Sequence, residues 1–144
     1  MSGLALRPAE TAADIDACWK VLHQLRPQLA DAAELVARVQ RQRAQGYRLL
    51  AAWRDGRVVG AAGYRISENL IHGRFVYVDD LVVAADDRRG GIGARLLEEV
   101  AAEARAAGCA RMTLDTGLDN SFAQRFYFRW GLLATGLHFG AALA

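Results

Sequence analysis

The sequence predicts a single α/β (α+β) domain over residues 1–144, a mixed β-sheet with helices on both faces. Three observations predict it. The 144 residues, 53% of them hydrophobic, suit one packed core without disulfide or metal staples. Apolar periodicity changes along the chain from helical to alternating and back. In the second half, a helical pattern joins two strand-like runs, as a parallel crossover requires.

Residues 4–7 (LALR) read as a first strand. Thr11 to Asp14 has the pattern of a capping box. Ile15, Trp19, Leu22 and Leu25 follow at helical spacing until Pro27 stops the run. Asp31 to Glu34 opens a second helix with Leu35, Val36 and Val39 as its stripe and Gly46 as its end. YRLLAAW and VVGAAGYRI flank Arg54-Asp55-Gly56-Arg57, and Asp-Gly between apolar runs predicts a hairpin. A looser turn at Asn69–Gly73 leads into FVYVDDLVV, residues 75–83. Residues 91–107 read as a long helix stopped by Gly108, and 110–116 as a short strand. Asn120 caps a last helix closed by Gly131, and a final strand is expected within residues 132–142.

Composition narrows the function. No apolar run approaches the ~20 residues that span a bilayer. The N-terminal MSGLALRPAE lacks a basic region followed by an apolar stretch, so a cytoplasmic protein without a membrane partner is expected. Cys18 and Cys109 are too few for a disulfide framework, and with His23, His72 and His138 they form no zinc-like cluster, so no metal is expected. A net charge of +2 implies no nucleic-acid partner, and Arg38, Arg41 and Arg43 read as a solvated helix face.

The chemistry concentrates at Val83 to Ala94, where a strand ends and a Gly-rich turn opens an amphipathic helix. A helix N-terminus leaves backbone N–H groups without partners and carries about half a positive charge. Glycine removes the Cβ that would keep a ligand's oxygens away. With Arg88 and Arg89 beside Gly90, Gly91, Ile92, Gly93 and Ala94, the segment suits a pyrophosphate. The P-loop pattern is absent, and Gly91-Ile92-Gly93 lacks the third glycine of the dinucleotide fingerprint, position 96 being leucine.

Arg88-x-x-Gly91-x-Gly93 resembles the R/Q-x-x-G-x-G/A signature of the Gcn5-related (GNAT) N-acetyltransferases, and the order of elements is similar to that fold over nearly the whole chain. Asn120-x-x-Ala123-x-x-Phe126-Tyr127-x-x-x-Gly131 resembles the family's second signature, with Leu132 in place of its usual Phe. The resemblance implies that Arg88 to Ala94 cradle the pyrophosphate of acetyl-CoA, and that Leu81, Val82 and Val83 pair their backbone with its pantetheine arm. It gives Asn120 a contact to the cofactor, Ala123 a place on the same helix face, and Tyr127 the role of general acid toward the departing thiolate. A phenol with pKa near 10 suits that last task.

An amine must lose a proton before it attacks, and Asp79, then Asp80, are the candidate bases. They interrupt an apolar strand, and two consecutive side chains share a face only at a β-bulge, which the family has near this point. Their simpler role is to bind a cationic substrate. By resemblance, His23–Asp31 and Ser67–Arg74 line the acceptor site, offering His23, Arg26, Gln28, Glu68 and His72, while Trp19 and Trp53 read as core. The expected activity is direct acetyl transfer from acetyl-CoA to a primary amine of a small molecule or peptide. The rivals are a non-catalytic acyl-CoA-binding module, a nucleotide-binding protein and an acyltransferase for longer chains. The chain stops soon after Phe139, so a homodimer that completes the sheet is a further expectation.

Overall fold

The computed structural model describes residues 3–144. Met1 and Ser2, part of the stretch read for a secretory leader, lie outside them. The chain separates into two compact units, one up to Thr113 and one from Leu114 to Ala144.

From the N-terminus the chain runs β1 (Ala5–Pro8), α1 (Ala12–Ala17), α2 (Trp19–Leu25), α3 (Ala32–Arg43), β2 (Tyr47–Arg54), β3 (Arg57–Asn69), β4 (Gly73–Val83), a 3-10 turn (Ala85–Asp87), α4 (Ile92–Ala106) and β5 (Arg111–Leu114), whose last residue falls in the second unit. The sheet order is β1-β2-β3-β4-β5, with the first four strands antiparallel. The α4 crossover brings β5 beside β4 and makes the sheet mixed.

The sequence periods find their causes here. Thr11 accepts from the Asp14 N–H and Asp31 from the Glu34 N–H, as the two capping patterns predict. The expected first helix is broken into α1 and α2 at Cys18. There the backbone N–H donates to the Ile15 carbonyl three residues back, while the thiol turns to the Asp14 carbonyl at 3.4 Å. Such a tightened turn ends one helix, and α2 begins at the next residue, so the apolar spacing passes through unbroken. The Asp55-Gly56 turn forms with both residues at positive φ, 52° and 75°.

Each face of the sheet has its own core. Leu49, Ala51, Ala61 and Val82 pack with Ile15, Leu22, Leu35 and Val39 from α1, α2 and α3. Successive strand residues point to opposite faces. Gly60 accordingly faces α4, where a Cβ would stand 3.1 Å from Ile92 Cγ2 and 3.2 Å from Leu96 Cδ1. Leu96 and Leu97 are wholly buried, each worth roughly 1.5–3 kcal/mol of apolar burial.

In the second unit, α5 (Ser121–Trp130) is capped by Asn120 and closed by Gly131 at φ 117°. No described residue of this unit is buried. The final strand expected within 132–142 is not formed: among the described residues, 132–144 carry no strand. Gly136 and Gly140 interrupt the run, and glycine weakens a strand that no ladder holds.

Candidate active site

The carboxylate pair sits on a β-bulge. Gly63 pairs with Asp80 and Tyr64 with Val78, which leaves Asp79 as the extra residue of β4. Both aspartates thereby line one cavity of about 310 Å³, together with Arg26 and Gln28 after α2, one face of α3, Tyr47 and Tyr77. A one-residue irregularity brings together two side chains that a regular strand would separate.

A polar network holds them. Arg26 Nε donates to Asp80 Oδ1 at 2.9 Å, and Tyr47 Oη donates to Asp80 Oδ2 at 2.7 Å. Arg26 also reaches the Asp79 carbonyl at 2.8 Å. Arg65 Nε donates to Asp79 Oδ2 at 3.0 Å, and its other arm meets Gln42. Gly63 makes the arrangement possible, since a Cβ there would lie 1.8 Å from Tyr47 Oη. Desolvation raises the Asp79 pKa above its ordinary value despite the Arg65 guanidinium. Burial, then the Asp80 charge, pushes the Tyr47 phenol well above 10, so it remains a donor at neutral pH. Asp80 has both oxygens engaged, whereas neither Arg26 nor Tyr47 claims Asp79 Oδ1.

Along the same strand, Leu81, Val82 and Val83 pair with Ala62, Ala61 and Gly60 of β3. Arg88 Nε donates to the Val83 carbonyl at 3.2 Å, so Arg88 braces the strand end as well as flanking the loop. Gly91 is the N-cap of α4 at φ 71°, ψ 17°, a conformation costly for any residue with a Cβ. No side chain caps α4, and nothing lies within 4 Å of a Cβ built at Gly91. The first-turn donors of this 15-residue helix are thus offered to a ligand, and the open approach fits an anionic group. Behind the loop, Asp87 is held by Arg54 at 3.3 Å and Arg57 at 3.7 Å.

In the second unit, the Asn120 side chain accepts from the Ala123 N–H at 3.1 Å and so serves as a helix cap. The rings of Phe126 and Tyr127 meet at 5.5 Å, and Leu132 N–H returns to the Tyr127 carbonyl. Asn120, Ala123 and Tyr127 share one helix at the predicted spacing.

Of the expected acceptor residues, Arg26 and Gln28 line the cavity. His23 stacks on Trp19 with centroids 4.6 Å apart, and His72 packs against Phe75 near the β3–β4 turn. Trp53 packs against the core under the Arg7 guanidinium. Sequence reading missed Tyr47, Arg65 and Gln42. The signal was Gly63, a glycine inside a strand, which marks a close approach, and the hairpin register that puts Tyr47 opposite Arg65.

A family model described as acetyltransferase (GNAT) family matches residues 13–132. Aminoalkylphosphonate N-acetyltransferase of Salmonella typhimurium is 36% identical over 98 residues, 67% of this chain and 62% of that protein. IAA acetyltransferase of Azospirillum brasilense is 36% identical over 89 residues, 62% of this chain and 56% of that protein. The chain therefore spans about three-fifths of the length of the curated relatives it matches. Among solved structures, aminoglycoside N-acetyltransferase AAC(6')-Iy in complex with CoA superposes with a TM-score of 0.84 at 21% identity, covering 98% of this chain and 95% of that one. A Trypanosoma brucei acetyltransferase gives 0.81 at 23% identity, covering 97% and 99%. These last two likenesses establish the fold.

Proposed function

The chain belongs to the GNAT acetyltransferase family, and on that premise we propose that it moves an acetyl group from acetyl-CoA to a primary amine of a small molecule or peptide. One observation carries the reading. β4 carries a bulge with two carboxylates, and past its end at Val83 a 3-10 turn (Ala85–Asp87) leads to the uncapped, glycine-opened start of α4. Asp80 and Val83 are about 10 Å apart along the strand, at roughly 3.3 Å per residue. The candidate base thus sits on the strand that leads, through one short turn, to the candidate anion loop. The printed names of the relatives, acetyltransferases of an aminoalkylphosphonate and of aminoglycosides, agree with this reading.

When bound, acetyl-CoA supplies an activated thioester. The chain's own residues do the rest. Arg88 to Ala94 hold the pyrophosphate through backbone donors and side-chain charge. Asp79 accepts a proton from the acceptor's ammonium, the neutral nitrogen then bonds to the acyl carbon as the C–S bond breaks, and the nitrogen's second proton passes to solvent. Tyr127 is assigned the proton for the departing sulfur on the strength of its motif alone. Asp80, saturated by Arg26 and Tyr47, holds the bulge in shape.

The test is release of free CoA thiol from acetyl-CoA in the presence of a panel of primary amines. Turnover dependent on an amine, with the acetylated amine identified by mass spectrometry, supports the reading. Binding of acetyl-CoA without turnover of any amine would favour the non-catalytic module instead. A cytoplasmic location and a homodimer belong to the same proposal. Among the described residues no helix is long and apolar enough to cross a membrane. Leu133, Leu137 and Phe139 are exposed, which agrees with a second copy. A monomer by light scattering at micromolar concentration would remove the dimer.

A further inference from the structure

The face of α3 that lines the cavity is Leu35, Arg38, Val39 and Gln42, a row at spacings of three and four. Two of the four are apolar, and Gln42 is committed to Arg65. Arg38 is different. Its ion pair is with Glu34, one turn earlier, at 3.7 Å, with half of the arginine side chain exposed. Such a pair within one exposed helix contributes little and is readily exchanged for a better partner. Glu34 itself is occupied at the helix start, where Oε1 accepts from the Ala30 N–H at 2.9 Å.

The other charges of the cavity are already matched. Arg26 is bound to Asp80, and Asp79 to Arg65. Arg38 is left as the lining cation whose guanidinium fork can take up a new acceptor. Guanidinium binds carboxylate or phosphonate through two parallel hydrogen bonds, and an amine alone gives it nothing to bind. A volume of about 310 Å³ is at the low end for ligand pockets, roughly 300–1,000 Å³, and fits one short chain.

From this we infer that the acceptor is a short primary amine carrying a second, anionic group, with the amine at Asp79 and the carboxylate or phosphonate on Arg38. The inference rests on the acetyltransferase reading for its orientation, and its test is separable from that reading. The CoA-loaded protein is titrated calorimetrically with 2-aminoethylphosphonate, propylamine and 1,4-diaminobutane. 2-Aminoethylphosphonate is expected to bind most tightly. Arg38→Ala should weaken it by about ten- to a hundredfold, and Arg38→Lys by less, with acetyl-CoA affinity unchanged in both. Equal or tighter binding of propylamine or the diamine, or no loss in Arg38→Ala, would overturn the inference. Thiol release, measured separately, reports on transfer. Aminophosphonate binding that depends on Arg38 without turnover would therefore sink the catalytic reading and leave this one standing.

Discussion

The chain presents two glycine-bounded helices, each carrying half of the family signature, and they differ in what holds them. In α4, Ile92, Leu96, Leu97, Val100, Ala101 and Ala104 are buried, and β3 meets its first turn so closely that only Gly60 fits. In α5 no residue is buried, and Phe122 and Phe128 are exposed. The first helix is fixed by packing, which holds its uncapped N-terminus in place. The second is fixed locally by Asn120 at one end and Gly131 at the other. Resemblance to a motif and structural support for it are thus separate matters in this molecule.

The contrast can be broken most severely at Gly91. Gly91→Glu puts a side chain and a negative charge at a residue with φ 71° and should abolish acetyl-CoA binding in calorimetry. Wild-type affinity would remove the loop from the cofactor site.

The packing difference itself predicts opposite stabilities. Leu96→Ala should destabilise the fold by about 2–5 kcal/mol in urea unfolding. Phe128→Ala, at an exposed position, should stay within about 0.5 kcal/mol. A large loss in Phe128→Ala would show that a partner covers α5.

Tyr127→Phe tests the helix that packing does not explain. It should retain acetyl-CoA binding and lower kcat by roughly ten- to a thousandfold. An unchanged kcat would leave Asn120 and Tyr127 as structural residues.

The smallest expected effect is on pH. Because burial raises the Asp79 pKa, the folded state holds this proton more tightly than the unfolded chain does. Its contribution to stability is therefore greatest below the ordinary value of 3.8 and declines as pH rises through the raised folded value. Activity moves the other way: kcat/KM should rise with pH along an acid limb lying above 3.8. Asp79→Asn should flatten that limb as well as lower the rate. A limb unchanged in Asp79→Asn would assign the base elsewhere.

Much of the fold was legible because each element carries its own punctuation. Thr11, Asp31 and Asn120 are caps, and Asp55-Gly56 is a turn. The bulge could be read from Asp79-Asp80 because two adjacent charges violate the two-residue period of a strand. What was hidden depends on contacts distant in sequence. Tyr47 meets Asp80 only through the register of three strands and the space above Gly63. Arg38 was read as a solvated residue, which its exposure agrees with, but its place on the cavity wall needed α3 packed on the sheet. The break at Cys18 left no trace, since a buried cysteine is compatible with an unbroken helix stripe. A final strand within 132–142 would need a ladder partner, and the described residues 132–144 carry no strand.

Calorimetric titration of the purified chain with acetyl-CoA, against ATP and NAD, asks whether the loop from Arg88 to Ala94 binds the cofactor. Micromolar binding of acetyl-CoA and no binding of either nucleotide is expected. Absence of acetyl-CoA binding, or competition by ATP or NAD at the same site, would contradict it.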